Sequence, residues 1–275
     1  MDKPEILEVP AWLRPQLDRY WAATLACPAE LLYAKRPVIV ESAASPGILG
    51  IQIQHHWIFT LHPDSVKRGA TALVEALMTS PDSRLPDSAQ VHASWQQAGF
   101  LNVYGPAYLL YCTSLAKRSP TPGTNAVQRH TGPAMSRADR SRPAPAIDQL
   151  GEHDCVAVER FQQEMGVIAW RLGQPSVWPR ICGVFDGGQL VATGAIRLWE
   201  NTIGEIFVDT LPRHRGRGYA KALAGHLTDW MLRETAWIPQ YDAEIENLPS
   251  LKIAYRLGYQ FYGVMLLAES RESMT

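Results

Sequence analysis

The fold is predicted most clearly by Val208-Asp209-Thr210-Leu211-Pro212-Arg213-His214-Arg215-Gly216-Arg217-Gly218-Tyr219-Ala220. This stretch indicates a strand that ends near Pro212, a loop with three arginines and two glycines, and then a helix. The helix is expected to present an apolar face with helical spacing at Leu223, Leu227, Trp230 and Met231. Glycines let backbone N–H groups approach a bulky anion, and a helix N-terminus adds about half a positive charge. The stretch therefore predicts a binding site for a polyphosphate.

Two common phosphate-binding motifs do not fit this loop. A dinucleotide fingerprint needs a third glycine where Lys221 stands, and no window of the chain matches a P-loop. The segment Arg215-Gly216-Arg217-Gly218-Tyr219-Ala220 instead resembles the Q/R-x-x-G-x-G/A signature of the GNAT acyltransferase superfamily. In that family the loop holds the pyrophosphate of acetyl-CoA. The alternative is a basic surface turn that only caps a helix.

A second pattern downstream resembles the same family. Asn247-Leu248-Pro249-Ser250 is predicted to open a helix that runs to Leu257 and stops at Gly258, before a strand over 259–267. The N-x-x-S and L-G-Y patterns resemble the GNAT segment in which an Asn begins the helix before the last strands. Upstream, strands over 180–185 and 190–198 flank Asp186-Gly187-Gly188, a strong hairpin signal.

The resemblance covers residues of about 147–270. It implies an α/β (α+β) fold with a central mixed, mostly antiparallel sheet flanked by helices. We expect three parts: an N-terminal α/β domain over 1–118, a linker over 119–145 and a GNAT domain over 146–275. The linker is rich in Ser, Thr, Pro and Arg and has no aromatic residue, so it cannot bury enough apolar surface to offset its ordering entropy.

The N-terminal half carries weaker signals. We expect a helix around residues 12–25, strands over 37–40 and 48–61, a helix over 65–78 and a strand over 107–112. Thr60-Leu61-His62-Pro63 followed by Gly69 is similar to Thr210-Leu211-Pro212 followed by Gly218. One hypothesis is that the first half is a degenerate GNAT copy that cannot bind CoA and shapes the acceptor cleft. The alternative is chance similarity between generic α/β segments.

Composition excludes several classes of partner. The 275 residues include 26 Lys or Arg and 27 Asp or Glu, so no global field favours nucleic acid or an anionic membrane. No apolar run approaches the length of a membrane span, and the first residues lack a signal-peptide core. The four cysteines are scattered and suggest buried thiols. We therefore expect a cytoplasmic protein with no metal site and with neither nucleic acid nor membrane as a partner.

The chemistry that the resemblance implies is transfer of an acetyl group from acetyl-CoA, as cosubstrate, to an amine of a small molecule or peptide. Strand alternation places Glu205, Phe207 and Asp209 on one face of the strand before the loop. Glu205 resembles the carboxylate that takes the amine proton in many family members, with Asp209 as the weaker candidate. A desolvated carboxylate suits this role because its pKa rises toward neutrality. The alternative is that Glu205 is a solvated or ion-paired strand residue.

The proton donor to the CoA sulfur is less clear from the sequence. Many family members carry a tyrosine seven residues after the Asn, where this chain has Ala254, and Tyr255 follows about 100° further round the helix. Trp170, Trp178 and Trp199 are candidates for an acceptor pocket. Glu205 and Tyr255 are the candidate catalytic residues. The residues expected to bind acetyl-CoA are Val208, Asp209, Thr210, Arg213, Arg215, Gly216, Arg217, Gly218, Tyr219, Ala220, Asn247 and Ser250.

Two other functions remain open from the sequence. The chain fits a non-catalytic acyl-CoA sensor whose N-terminal half binds a partner. The basic loop also fits a different phosphorylated ligand, although the balanced charge argues against nucleic acid. Neither function changes the expected fold.

Overall fold

The computed structural model describes residues 7–54, 56–78, 85, 87–115, 144–166 and 170–269. Its helices, in chain order, are α1 Arg14–Thr24, α2 Pro63–Lys67, α3 Ala70–Met78, α4 Ser88–Gln97, α5 Cys155–Met165, α6 Tyr219–Glu234 and α7 Leu248–Leu257. Its strands are β1 Val38–Glu41, β2 Gly47–Ile53, β3 His56–Leu61, β4 Leu101–Tyr111, β5 Asp148–Gln149, β6 Arg180–Asp186, β7 Gln189–Trp199, β8 Ile203–Thr210, β9 Ile238–Glu244 and β10 Gln260–Glu269.

The chain divides into two compact units by its internal contacts. The first unit combines Met1–Thr113 with Ile238–Thr275, and the second is Ser114–Trp237. The boundaries expected from the sequence, 1–118, 119–145 and 146–275, stay a prediction, and the contacts group residues 238–275 with the N-terminal half. The expected linker falls almost entirely on residues 116–143, which lie outside the described residues.

The first unit contains a sheet with the strand order β1-β3-β2-β10-β4-β9. All of its strand pairs are antiparallel except β1 with β3, which is parallel. The C-terminal strand β10 lies between β2 and β4, and β4 in turn lies between β10 and β9. Strands from both ends of the chain thus alternate in this part of the sheet. The hypothesis that the first half of the chain is a degenerate GNAT copy remains a hypothesis.

Two expected elements in this unit are each divided by a residue with positive φ. The stretch 48–61, expected as one strand, is the hairpin of β2 and β3, and Gln54 in its turn has a φ of +58°. The stretch 65–78, expected as one helix, is divided into α2 and α3 by Gly69, which has a φ of +87°. Apolar periodicity continues through both breaks because the flanking residues pack into one core. That core lies under α3 and α4 and includes Phe59, Val74, Trp95, Phe100 and Leu266.

The second unit is an antiparallel sheet with the order β5-β6-β7-β8. The expected hairpin is confirmed, with φ of +59° and +79° at Gly187 and Gly188. Helix α6 packs on one face, where a Cβ on Gly194 would lie 2.9 Å from Leu227 Cδ1. Helix α5 shares a core with the opposite face, through residues that include Phe161, Ala195 and Phe207.

The fold class expected from the sequence is confirmed for the described residues. The protein has an α/β fold in which a mixed, mostly antiparallel sheet is flanked by helices. No helix in the described part of the chain is both long enough and apolar enough to cross a membrane.

Candidate functional site: the loop between β8 and α6 and its neighbouring strands

Two glycines shape the loop that joins β8 to α6. Pro212–His214 form a short 3-10 turn, and Gly216 and Gly218 then adopt φ values of +76° and +83°. Gly218 is the N-cap of α6, and no side chain caps the first N–H groups of that helix. A Cβ built on either glycine would meet nothing within 4 Å. These glycines are therefore required by backbone conformation, and the space beside them is open.

The three loop arginines have different partners. The guanidinium of Arg213 forms two hydrogen bonds to the Glu164 carboxylate on α5. Arg217 donates to Asp186 Oδ2 at 2.8 Å. Arg215 is exposed, and its Nε donates to the Thr210 carbonyl at 3.3 Å. Of the three side chains, only that of Arg215 has no carboxylate hydrogen-bonded to it among the described residues.

Asp186 connects the β6–β7 turn to the loop. Its Oδ2 accepts from Arg217 and, at 3.4 Å, from the hydroxyl of Tyr219, and it lies 3.6 Å from His214 Nδ1. In the sequence, Asp186 signals only a turn, because its partners in the loop lie about 30 residues further along the chain. The aspartate therefore links the β6–β7 turn to Arg217 of the loop and to Tyr219, the first residue of α6.

The candidate proton acceptor Glu205 is buried on β8. Its side chain is 7% exposed, and its Oε2 accepts a hydrogen bond from Trp199 Nε1 at 2.6 Å. Arg197 of β7 lies directly opposite Glu205 in the strand register. Phe207, two residues further along the same face, packs edge-on against Trp178 with ring centroids 5.4 Å apart. Glu205 is thus buried beside aromatic residues, with an indole N–H as donor and an arginine opposite it in the register.

The end of β8 carries a second carboxylate near the loop. Burial raises the pKa of Asp209, and the charge of Arg215 opposes that rise. Thr193, directly opposite Asp209, is fully buried, and its hydroxyl has no hydrogen-bond partner among the described residues. The Thr210 hydroxyl is likewise buried without a partner in the described part of the chain. The loop end of β8 therefore combines a desolvated carboxylate with buried hydroxyls.

The expected site residues on α7 lie in the first unit. Asn247 is the N-cap of α7, and its side-chain oxygen accepts from the backbone N–H of Ser250 at 3.3 Å. The Ser250 hydroxyl lies 2.9 Å from the Tyr241 hydroxyl. The Tyr255 hydroxyl is buried and has no partner among the described residues. Burial, with a contribution from Tyr108, raises the pKa of Tyr255 to about 12.

The three candidate pocket tryptophans differ in position. Trp170 and Trp178 belong to the core beside α5, with exposed fractions of 2% and 8%. Trp199 is half-buried next to Glu205. Val208 and Ala220 are also half-buried, one on β8 and the other in the first turn of α6. No group of three or more His, Cys, Asp or Glu within the described ranges is placed to hold a metal ion.

Comparison with known proteins gives one family match. Residues 182–264 match the family model described as GNAT acetyltransferase, a span that includes the whole loop between β8 and α6. No curated protein matches the sequence.

Solved structures of acetyltransferases are similar to this chain. A GNAT-family acetyltransferase from Colwellia psychrerythraea is 13% identical over 98% of this chain and 100% of that chain, with a TM-score of 0.46. A GCN5-related N-acetyltransferase-like protein from Streptococcus suis is 17% identical over 94% and 100%, with a TM-score of 0.45. Naa50 from Arabidopsis thaliana, in complex with the bisubstrate analogue CoA-Ac-MVNAL, is 12% identical over 45% and 98%, with a TM-score of 0.37.

Proposed function

Because residues 182–264 match the family model of GNAT acetyltransferases, we propose that this protein transfers the acetyl group of acetyl-CoA to the amine of an acceptor. The observation that carries the proposal is the loop between β8 and α6. It offers uncapped helix N–H groups, two glycines with open space beside them and the exposed guanidinium of Arg215. This combination fits a pyrophosphate, because N–H groups at a helix N-terminus and an arginine both bind phosphate oxygens.

The proposed ligands of the CoA phosphates are backbone N–H groups of the loop and one arginine. Backbone N–H groups of Gly216, Gly218, Tyr219 and Ala220 supply neutral donors, and Arg215 supplies the charged one. Arg213 and Arg217 act mainly through Glu164 and Asp186, which fix the loop. The backbone of Val208, Asp209 and Thr210 would bind the pantetheine arm, in keeping with the family resemblance. Asn247 and Ser250 hold the start of α7, since their side-chain bonds are made within the first unit.

Acetyl-CoA supplies an activated acyl group as a thioester. The acceptor nitrogen attacks the carbonyl carbon, so a C–N bond forms, the C–S bond breaks and one proton leaves the nitrogen. Glu205 is the proposed acceptor of that proton, because its carboxylate is buried and held in place by Trp199 Nε1. The departing sulfur takes up a proton. Water can supply that proton, because a pKa of about 12 makes the phenol of Tyr255, the candidate donor from the sequence, a weak acid.

The test combines binding with turnover. Acetyl-CoA should raise the unfolding temperature of the protein, and an amine panel should contain acceptors that release CoA thiol. Glu205→Gln should keep acetyl-CoA binding and lower turnover by about 10²- to 10⁴-fold, because it removes the proton acceptor and keeps the side-chain shape. Absence of any thermal shift would remove acetyl-CoA from the proposal. A thermal shift without thiol release from any amine would favour the non-catalytic sensor.

A further inference from the structure

Arg197 lies beside the proposed proton acceptor and makes an unusual set of contacts. On neighbouring strands, Arg197 of β7 is directly opposite Glu205 of β8. Side chains at such positions share one face, with Cβ atoms about 4.5–5.5 Å apart. The Arg197 guanidinium lies 3.9 Å from the ring centroid of Trp199 and 5.9 Å from that of Trp178. Aromatic rings therefore hold the cation on the face of the sheet that carries Glu205.

The stacking leaves the in-plane donors of Arg197 available to a ligand. A guanidinium that stacks on an aromatic ring uses its face, and its five N–H donors point outward in the plane. Among the described residues, Arg197 forms neither a hydrogen bond nor an ion pair. The carboxylate opposite accepts from Trp199 Nε1 at 2.6 Å. A half-buried, stacked guanidinium with free in-plane donors matches the two oxygens of a carboxylate.

This cation is too far from the loop to bind the same phosphates. Thr210, at the loop end of β8, is five residues from Glu205, and extended strands advance about 3.3 Å per residue. Arg197 and Arg215 are thus separated by roughly 16 Å along the strand direction. The phosphates that the loop would hold cannot also reach Arg197. An anion bound at Arg197 would therefore be a different group from the phosphates at the loop.

We propose that Arg197 recognises a carboxylate of the acceptor, so that the acceptor is an amino acid or a similar amine that also carries a carboxylate. This inference rests on the proposed function, because it assigns the acceptor of that reaction. A carboxylate bound in the plane of Arg197 holds the acceptor with its amine directed toward Glu205 on the adjacent strand. Arg197 is then a specificity-determining residue, and the proton still passes to Glu205.

The chain offers a matched control on the other face of the same sheet. Arg180 of β6 stacks on Trp230 of α6, with its guanidinium 4.7 Å from the ring centroid. Arg180 is opposite Ile196 in the register, and Ile196 and Arg197 are adjacent residues of one strand, so they face opposite sides. Replacing Arg180 therefore removes a tryptophan-stacked arginine without touching the face that carries Glu205.

The experiment compares amino acids with their carboxamides in the thiol-release assay. The full-length protein should use the acids with a kcat/KM roughly 10- to 100-fold above the matched amides, the size expected for a charge-assisted hydrogen bond. Arg197→Gln should reduce that preference to within about threefold, mainly through the KM of the acceptor. Arg197→Lys keeps the charge but loses the planar guanidinium, so it should keep part of the preference for acids over amides. Arg180→Gln should keep all of it.

Acetyl-CoA binding, measured by thermal shift, shows that each variant is folded. Equal use of acids and amides by the unmodified protein would overturn the assignment of Arg197, as would an unchanged preference in Arg197→Gln. Both results leave acetyl transfer itself intact. If other amines release thiol but no amino acid or amino acid amide does, the acceptor assignment fails alone. If no amine of any class releases thiol, the proposed function fails and the acceptor assignment fails with it.

Discussion

Replacing Gly218 with valine tests the phosphate-binding loop directly. Gly218 has a φ of +83°, where a side chain with a Cβ is strained by roughly 1–3 kcal/mol. No atom lies within 4 Å of the added Cβ, so a clash of that atom does not add to the strain. The folded protein should therefore survive with reduced stability. The branched side chain, however, fills the space that a pyrophosphate needs for its approach to the backbone.

The rise in unfolding temperature that Gly218→Val should abolish can be calculated. Acetyl-CoA at about a hundred times its dissociation constant stabilises a protein by about 2.7 kcal/mol. At roughly 2–4 °C per kcal/mol for a protein of this size, the unfolding temperature should rise by about 5–11 °C. Gly218→Val should lose all of that rise, because the ligand no longer reaches the N–H groups.

Gly166 provides the matched control for backbone strain. It caps the C-terminus of α5 with a φ of +70°, and its added Cβ also meets nothing within 4 Å. Thermal unfolding of Gly166→Val should show a comparable drop without ligand and a full rise with acetyl-CoA. If Gly218→Val keeps the rise as well, phosphate does not approach this loop and the proposed site is wrong.

Three further predictions follow from contacts of individual side chains. Arg215→Gln should weaken acetyl-CoA binding roughly 10- to 100-fold in calorimetric titration. Arg213→Gln and Arg217→Gln should weaken binding less, because carboxylates are already bound to their guanidinium groups. Equal losses at all three positions would contradict this order. Burial raises the pKa of Asp209, so the folded protein loses stability as pH rises through that raised pKa. Asp209→Asn should therefore unfold at a higher temperature than the unmodified protein at pH 7, with the difference vanishing below about pH 4, whereas a difference that is constant with pH would refute the assignment. Tyr255→Phe removes a buried hydroxyl that has no partner among the described residues, so the free energy of unfolding in urea should be unchanged or higher. Its turnover should stay within about tenfold of that of the unmodified protein. A much larger loss of turnover with normal acetyl-CoA binding would identify Tyr255 as the proton donor.

Elements with local signals were predictable from the sequence. The β6–β7 hairpin follows from two adjacent glycines, and the start and end of α7 follow from Asn247 and Gly258. Each signal acts through hydrogen bonds or φ values within a few residues, so neighbouring sequence is sufficient to define it. The same reasoning placed Glu205, Phe207 and Asp209 on one face of β8.

Elements that depend on distant contacts were not predictable. The sequence pattern does not predict α4 or α5, because each helix buries only a few apolar side chains. These are Val91 and Trp95 in α4, and Val158 and Phe161 in α5. The position of β4 between β10 and β9 is set by pairing across more than a hundred residues of chain. No local pattern encodes that order.

The environment of Glu205 was only partly predictable. Trp199 was a candidate for a pocket, but its hydrogen bond to Glu205 depends on the turn between β7 and β8, where Glu200 and Asn201 both have positive φ. A turn of this kind sets the register that brings Arg197 opposite the carboxylate. The sequence contains no glycine there to signal it.

The interleaved strands of the first unit affect the order in which the protein can assemble during synthesis. Strand β4 leaves the ribosome long before its two neighbours β9 and β10, because the whole second unit is translated in between. At roughly 5–20 residues per second, β4 waits about 8–30 s for both partners. Both of its edges await strands that follow the second unit, so this sheet can close only after β10 has been translated. A gene split between the two halves would therefore have to bring both products together before either β4 or β10 gains its native neighbours.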